Sequence, residues 1–379
     1  MDSQTRAYIA GTGIITALGL NTAMNALAVK AGVNRYASAD YFTRKRERIN
    51  MALVPNEALP PLVDELDIRG KISFRDKRLL RMCQTAAGEA LADFKGKQPV
   101  PLILAAPAND FNLPDQLTGT FVSYLVQQSG LPIDPAKSRL NRTGRAGVLE
   151  ALELAFRYLY EANEEYVLIG GMDSYQNSDL LEKLDADDRV TAPGVMNGFA
   201  PGEGAAFILL TRNPAQALRT KTHIPALLPP GLATEPGHLF SDEPYKGDGL
   251  DQAFKAALSH YQGPPITQVW SSMNGENYWA KEYGVAMGRS ADRFNPDAVL
   301  HHPADCYGEV GAAVGGVLIA LAVNAALQGQ PGNSLIYCSS DQAWRAACVL
   351  ESIPLTAFQQ KQAPQAQQPQ PKSIYGRKA

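Results

Sequence analysis

Short apolar runs bounded by turn residues alternate along the chain with longer stretches in which apolar positions recur every three or four residues. The short runs predict strands. In the first half they are Tyr8–Gly11, Leu102–Ala106, Tyr166–Ile169 and Ala206–Leu210, and in the second Ile224–Leu228, Gln268–Ser271, Ser334–Cys338 and Ala346–Leu350. The longer stretches predict helices over Thr22–Lys30, Asp76–Phe94, Ala146–Tyr160, Gly249–His260 and Val310–Leu327. Strands alternating with helices predict an α/β architecture.

The order of elements repeats. A Gly-flanked helix, Gly144–Tyr160, leads to YVLIGGMDS and later to AAFILLT. Another, Gly311–Leu327, leads to SLIYCSSD and then to RAACVLES. The residues barely match, so the repeat is one of pattern. It predicts two halves of similar build, residues 1–215 and 216–356. Past Glu351 the chain becomes rich in Gln and Pro and ends basic, in QQKQAPQAQQPQPKSIYGRKA. Residues 357–379 bury too little apolar surface to offset their ordering entropy, which predicts a disordered tail.

Composition narrows the partners. The chain has 379 residues, 45% hydrophobic and 19% charged, which is enough for a substantial core. Thirty-five Lys and Arg against 38 Asp and Glu give a net charge of −3. That balance offers no electrostatic ground for nucleic acid or a membrane surface. Cys83, Cys306, Cys338 and Cys348 are scattered, without a CxxC and without a His at ligand spacing. They predict reduced thiols in a cytoplasmic protein with no structural metal and no cofactor. The opening MDSQTRAYIAGTG has no apolar run with a cleavage site, and Val310–Leu327 is too short and too rich in small residues for a membrane span.

Three segments resemble the β-ketoacyl synthases, in that family's order. YIAGTGIITALGLNTAMNALAVKAGVNRY at 8–36 is similar to the family's opening strand, Gly-x-Gly turn and Thr-x-Leu-Gly loop. NGFAPGEGAAFILLT at 197–211 resembles its Gly-Phe-x-x-Gly-Glu-Gly-Ala segment. YGEVGAAVGGVLIALAVNAALQG at 307–329 resembles its small-residue helix. The resemblance implies the thiolase fold, two pseudo-duplicated halves in five αβαβα layers. Each motif also has a physical reading as scaffold. Gly11 and Gly13 permit a tight turn out of a buried strand. Glu203, just before a buried strand, must find partners or solvent. Small residues through 311–326 let a central helix lie close to its neighbours.

The family's chemistry is missing from the positions where the resemblance places it. A Cys nucleophile belongs three residues before the helix glycine, in Cys-x-Thr/Ser-Gly. In SRLNRTGRAGVLEA (138–151) the glycine is Gly144 and the position holds Asn141, flanked by Leu140 and Arg142. Asparagine is not a nucleophile. The first family histidine falls on Met273 or Asn274, the second on Gly308 or Glu309. SSDQAWRAA at 339–347 replaces a glycine-rich loop, so that Trp344 and Arg345, together with Arg142, are expected to crowd the pocket. The chain's histidines, His223, His238, His260, His301 and His302, miss the expected positions. Cys306 is the alternative nucleophile, without an evident base. Phe199 resembles the family's gatekeeper and reads as a packing residue.

Loss of nucleophile and acid–base groups together implies a non-catalytic protein that works as an adaptor by binding another protein. The alternatives are a binder of acyl carrier protein or coenzyme A thioesters, and an acyltransferase with relocated residues. The segment Met273–Glu276, Met-Asn-Gly-Glu, resembles degenerate ketosynthase-like proteins of bacterial type VI secretion clusters, which points to a secretion effector or spike component as partner. The fold's habit of pairing implies a homodimer.

Overall fold

YVLIGGMDS is buried at all of its positions, as a strand covered on both faces must be. It is β6 (Tyr166–Ser174) of a computed structural model that describes residues 5–68, 72–109, 119–329 and 332–360. The other strands of the first half are β1 (Ala7–Thr16), β2 (Ala37–Phe42), β3 (Arg48–Met51), β4 (Val100–Ala105), β5 (Ile133–Asn141) and β7 (Glu203–Thr211). The second half supplies β8 (His223–Leu227), β9 (Gly231–Thr234), β10 (Ile266–Ser271), β11 (Phe294–His301), β12 (Ser334–Ser339) and β13 (Trp344–Pro354). Each of the eight predicted strands overlaps one of these.

The duplication is plain in the pairing. From the outer edge inward the first half runs β5-β4-β6-β7-β1, and the second β11-β10-β12-β13-β8. Setting aside the β2–β3 hairpin and β9, which pairs with β13, both read third, second, fourth, fifth, first in chain order. The two sheets join where β1 meets β8, Ala7 opposite Leu227. Both third strands escape prediction for one reason. Each opens with an apolar residue, an Asx and a proline, Ile133-Asp134-Pro135 and Phe294-Asn295-Pro296, and each lies at a sheet edge, where proline is tolerated. Each also carries the same irregularity. Ile133 to Arg139 lies opposite only Val100 to Ile103, and Phe294 to Val299 opposite only Ile266 to Gln268.

Ten α-helices are described: α1 (Thr22–Lys30), α2 (Phe74–Ala90), α3 (Phe121–Ser129), α4 (Gly147–Tyr160), α5 (Ser178–Ala186), α6 (Asp248–Ser259), α7 (Asn277–Arg289), α8 (Ala304–Tyr307), α9 (Val314–Leu327) and α10 (Thr356–Gln360). Side-chain caps start several. Asn21 Oδ1 accepts from Met24 N, Ser73 Oγ from Asp76 N, and Asn177 Oδ1 from Leu180 N. α2 and α3 cover one face of the first sheet, α6 and α7 one face of the second, and α4 and α9 lie between the two sheets. The five layers follow. α9 is apolar almost all round because both sheets cover it. Three apolar clusters fill the spaces between layers, the middle one built on α4 and α9.

Two sequence expectations change. Gly11 and Gly13 make no turn: β1 continues through them, with one irregularity in its pairing to β7 between Ile9 and Gly11. Their role is close approach, since a Cβ at Gly13 would lie 1.9 Å from the Ala86 carbonyl oxygen and one at Gly11 2.1 Å from that of Ala90, both on α2. The stretch expected to be disordered, 357–379, also starts inside a helix. Residues through Gln360 form α10, with Phe358 packed against Tyr8 at 6.2 Å, and residues 361–379 lie outside those described. Among the described residues no helix is long and apolar enough to cross a membrane, and no cluster of His, Cys, Asp or Glu fits a metal.

Candidate functional site

The turns that open α4 and α9 face each other between the sheets. Each is a short 3-10 turn, Gly144–Ala146 and Gly311–Ala313, and each starts on a glycine with positive φ, +67° and +51°. Segments leaving β6, β10 and β12 close in around them. At this junction the side chains are ionic and buried.

Arg145 Nη1 donates to Glu309 Oε2 at 3.0 Å, and its Nη2 donates to Asp341 Oδ1. Arg189 Nη1 takes the other oxygen of Asp341 at 2.8 Å. Its Nε and Nη2 hold Glu276 in a fork, at 2.7 and 3.0 Å. Asn274 Nδ2 donates to both Glu309 and Glu276, at 2.8 and 3.1 Å. Trp279 Nε1 adds a bond to Glu276, and its ring lies 4.0 Å beneath the Arg145 guanidinium. Both arginines come from the first half and all three carboxylates from the second, so the network ties the halves together.

Five groups with two positive and three negative charges share this space. Burial raises the Glu309 carboxyl, and Arg145 offsets that only in part. Burial acts the same way on Asp341, but two arginines outweigh it and hold this carboxyl below its ordinary value. The arginines lose by burial and gain more from their carboxylates, so both stay charged.

Three of the amide donors at these helix starts are already taken. Gly311 N donates to Glu309 Oε1 at 2.7 Å, and Ala312 N to Asp173 Oδ2 at 3.1 Å. Ala146 N is taken by Ser340 Oγ at 3.0 Å. Asp173 itself pairs with buried Arg75 at 2.8 Å. What is left is a cavity of about 50 Å³, with Arg75, Arg145, Asp173, Tyr175 and Asp341 in its walls. Ligand pockets generally measure at least about 300 Å³.

No family model and no curated protein sequence matches the chain. Solved structures do. A ketosynthase from module 6 of the bacillaene synthase of Bacillus subtilis 168 superposes with a TM-score of 0.73 at 13% identity, over 91% of this chain and 72% of that one. The chain has the ketosynthase fold. A second match is the ketosynthase ApeO in complex with its chain length factor ApeC from Xenorhabdus doucetiae, at 0.71 and 15% identity over 93% and 99%. The ishigamide ketosynthase/chain length factor gives 0.67 and 17% over 92% and 99%. This is the thiolase-like fold expected from the three sequence motifs.

Within that fold the expected positions can be located. Asn141 ends β5, and its Nδ2 donates to Gly147 O at 2.8 Å while its Oδ1 is buried without a partner. Of the two alternatives before α7, Asn274 enters the network. Of the two before α9, Glu309 enters it, whereas Gly308 has φ +77° and ends α8. The expected crowding by Arg142, Trp344 and Arg345 is replaced by another set. Trp344 is 42% exposed and pairs with Thr234 of β9. Arg345 is buried, but it is bound 2.5 Å from Glu282 and does not line the cavity, nor does Arg142. Arg145, four residues after Asn141, lines the cavity instead.

The remaining candidates serve packing. Phe199 is buried with Ile49, Met51 and Leu184, edge-on to Tyr175 at 5.5 Å. Glu203 finds its partners: Arg78 in a fork, Val54 N at 2.7 Å and Ser174 Oγ at 2.8 Å. Cys306 is buried, and burial, then Asp305, push its thiol up, which suppresses the thiolate. Among the described residues its Sγ has no base in hydrogen-bond contact, and nearby His302 pairs with Asp305 at 2.7 Å.

Sequence motifs and spacing do not single out Arg145, Arg189, Glu276 or Asp341 as site residues. One signal was available: Gly-Arg-Ala-Gly puts an arginine at the start of a buried helix, which demands a carboxylate partner.

Proposed function

We propose that this chain is a non-catalytic protein of ketosynthase fold that acts by binding another protein. The observation that carries the reading is the Arg145–Glu309–Asp341–Arg189–Glu276 network, which occupies the junction of the two central helix starts. A nucleophile, a base and an open thioester site each need space or groups that the network takes. The 50 Å³ cavity also speaks against a carrier-protein or coenzyme A arm reaching the centre, and the raised Cys306 thiol speaks against a relocated nucleophile.

A protein partner is supported by the company this fold keeps. Two of the similar structures pair a ketosynthase with a chain length factor, and a third holds a ketosynthase with an acyl-carrier protein. A homodimer belongs to the same proposal, because β5 is a sheet edge paired only with β4 among the described residues. A secretion effector or spike component is the partner class proposed from Met273–Glu276, a segment whose Asn274 and Glu276 are turned inward. A cytoplasmic location is proposed with it, on the four free, buried cysteines. Affinity capture of the full chain from its native host tests the reading. A discrete partner held in fixed ratio supports it, and a chain that emerges alone from capture and size-exclusion contradicts it.

A further inference from the structure

A second opening, about 610 Å³ in volume, lies away from the filled centre, between α1, the end of α9 and the paired strands β10 and β11. That volume suits a small ligand. Its apolar lining includes Ala26 and Leu27 of α1 and Leu321 and Ala325 of α9, with Leu27 68% exposed at the rim. Trp270 and His301 sit opposite each other in the β10–β11 register and stack, ring centroids 4.1 Å apart at 15°.

Two features point to what belongs there. Trp270 is 5% exposed, and its Nε1 has no hydrogen-bond partner, nor has Nε2 of His301. An indole N–H can only donate, and a buried donor left unmatched costs about 1–3 kcal/mol. The lining also contains no carboxylate, while Lys30 stands at its edge without an ion-pair partner among the described residues. Apolar walls, one ammonium and an unmatched N–H call for an apolar body ending in an anionic oxygen.

We propose that this groove binds an amphipathic monocarboxylic acid, its chain along α1 and α9 and its carboxylate between Lys30 and Trp270 Nε1. Both ring nitrogens are closed to water in the stacked arrangement. The carboxylate therefore reaches the indole as His301, the more exposed member of the stack, turns off it. No bond is made or broken; the site is one of binding alone, and it stands independently of the protein-binding role.

Decanoate titrated into the ¹⁵N-labelled full chain provides the test, because the three tryptophans give separable indole signals. The Trp270 signal, assigned by its loss in Trp270→Phe, moves and saturates, while those of Trp279, bonded to Glu276, and exposed Trp344 stay in place. Lys30→Ala and the neutral analogue decanol each weaken binding about tenfold, or about 1.4 kcal/mol. Ala26→Phe fills the groove and abolishes the shift, with unmoved Trp279 and Trp344 signals certifying the fold. A Trp270 signal that stays fixed at millimolar decanoate overturns the site. So does uniform movement of all three signals. Decanol binding as tightly as decanoate overturns the assigned carboxylate.

Discussion

Arg145 and Glu309 meet at 3.0 Å, and they come from equivalent turns of the two halves. Arg145 directly follows the positive-φ glycine that opens α4. Glu309 lies two residues before the one that opens α9. The pseudo-symmetry of the two halves thus brings a cation of one turn to an anion of the other. A buried pair of this kind costs desolvation, which its charge-assisted hydrogen bonds must recover, so removing one partner is felt strongly.

The two acids on Arg145 predict opposite pH behaviour. Asp341 is held below its ordinary value of 3.8, so its stabilisation is complete above that value and fades as pH falls through the lower folded one. Glu309 is raised above 4.5, so its contribution is complete below 4.5 and fades as pH climbs through the raised value. Asp341→Asn takes one charge partner from each of two buried arginines, leaving Arg145 to Glu309 and Arg189 to Glu276, and costs about 3 kcal/mol at neutral pH. Glu309→Gln leaves Arg145 its bond to Asp341 and costs about 1–3 kcal/mol. In urea unfolding across pH, the Asp341→Asn deficit shrinks on acidification, whereas the Glu309→Gln deficit shrinks as pH rises. Deficits that both shrink on acidification contradict the assignment.

Close approach of α2 to β1 predicts that Gly13→Ala costs at least about 3 kcal/mol, since the added carbon meets backbone that has no rotamer to change. A urea midpoint equal to that of the parent chain would show the contact to be relaxed.

The fold was largely legible because its buried strands and central helices are continuous apolar runs. The two edge strands were not. Pro135 and Pro296, with Lys137, Arg139 and Asp297 around them, break the apolar pattern where a strand has only one neighbour. The site was half legible. Asn141 and Asn274 could be located by counting from glycines, and Glu309 was one of two choices. The residues of the network could not be, since Arg145 and Arg189 meet Asp341 across 196 and 152 positions of chain, a relation that spacing does not carry.

On the proposed non-catalytic reading, a thiol placed at residue 141 brings no chemistry. Asn141→Cys places a sulfur beside Gly147, where Asn141 Oδ1 already lies 2.8 Å from where a Cβ would sit, with no imidazole in the network to deprotonate it. The variant is expected to remain unmodified by acyl-coenzyme A under conditions in which free cysteine reacts. An acyl adduct on residue 141 would show that the junction opens.

Whether the filled centre turns over a thioester is read by intact-mass spectrometry of the full chain after incubation with acyl-coenzyme A and acylated carrier protein. A non-catalytic centre leaves the protein mass unchanged and releases no free thiol above the protein-free control. A covalent acyl adduct, or thiol release that disappears in Cys306→Ala, would contradict it.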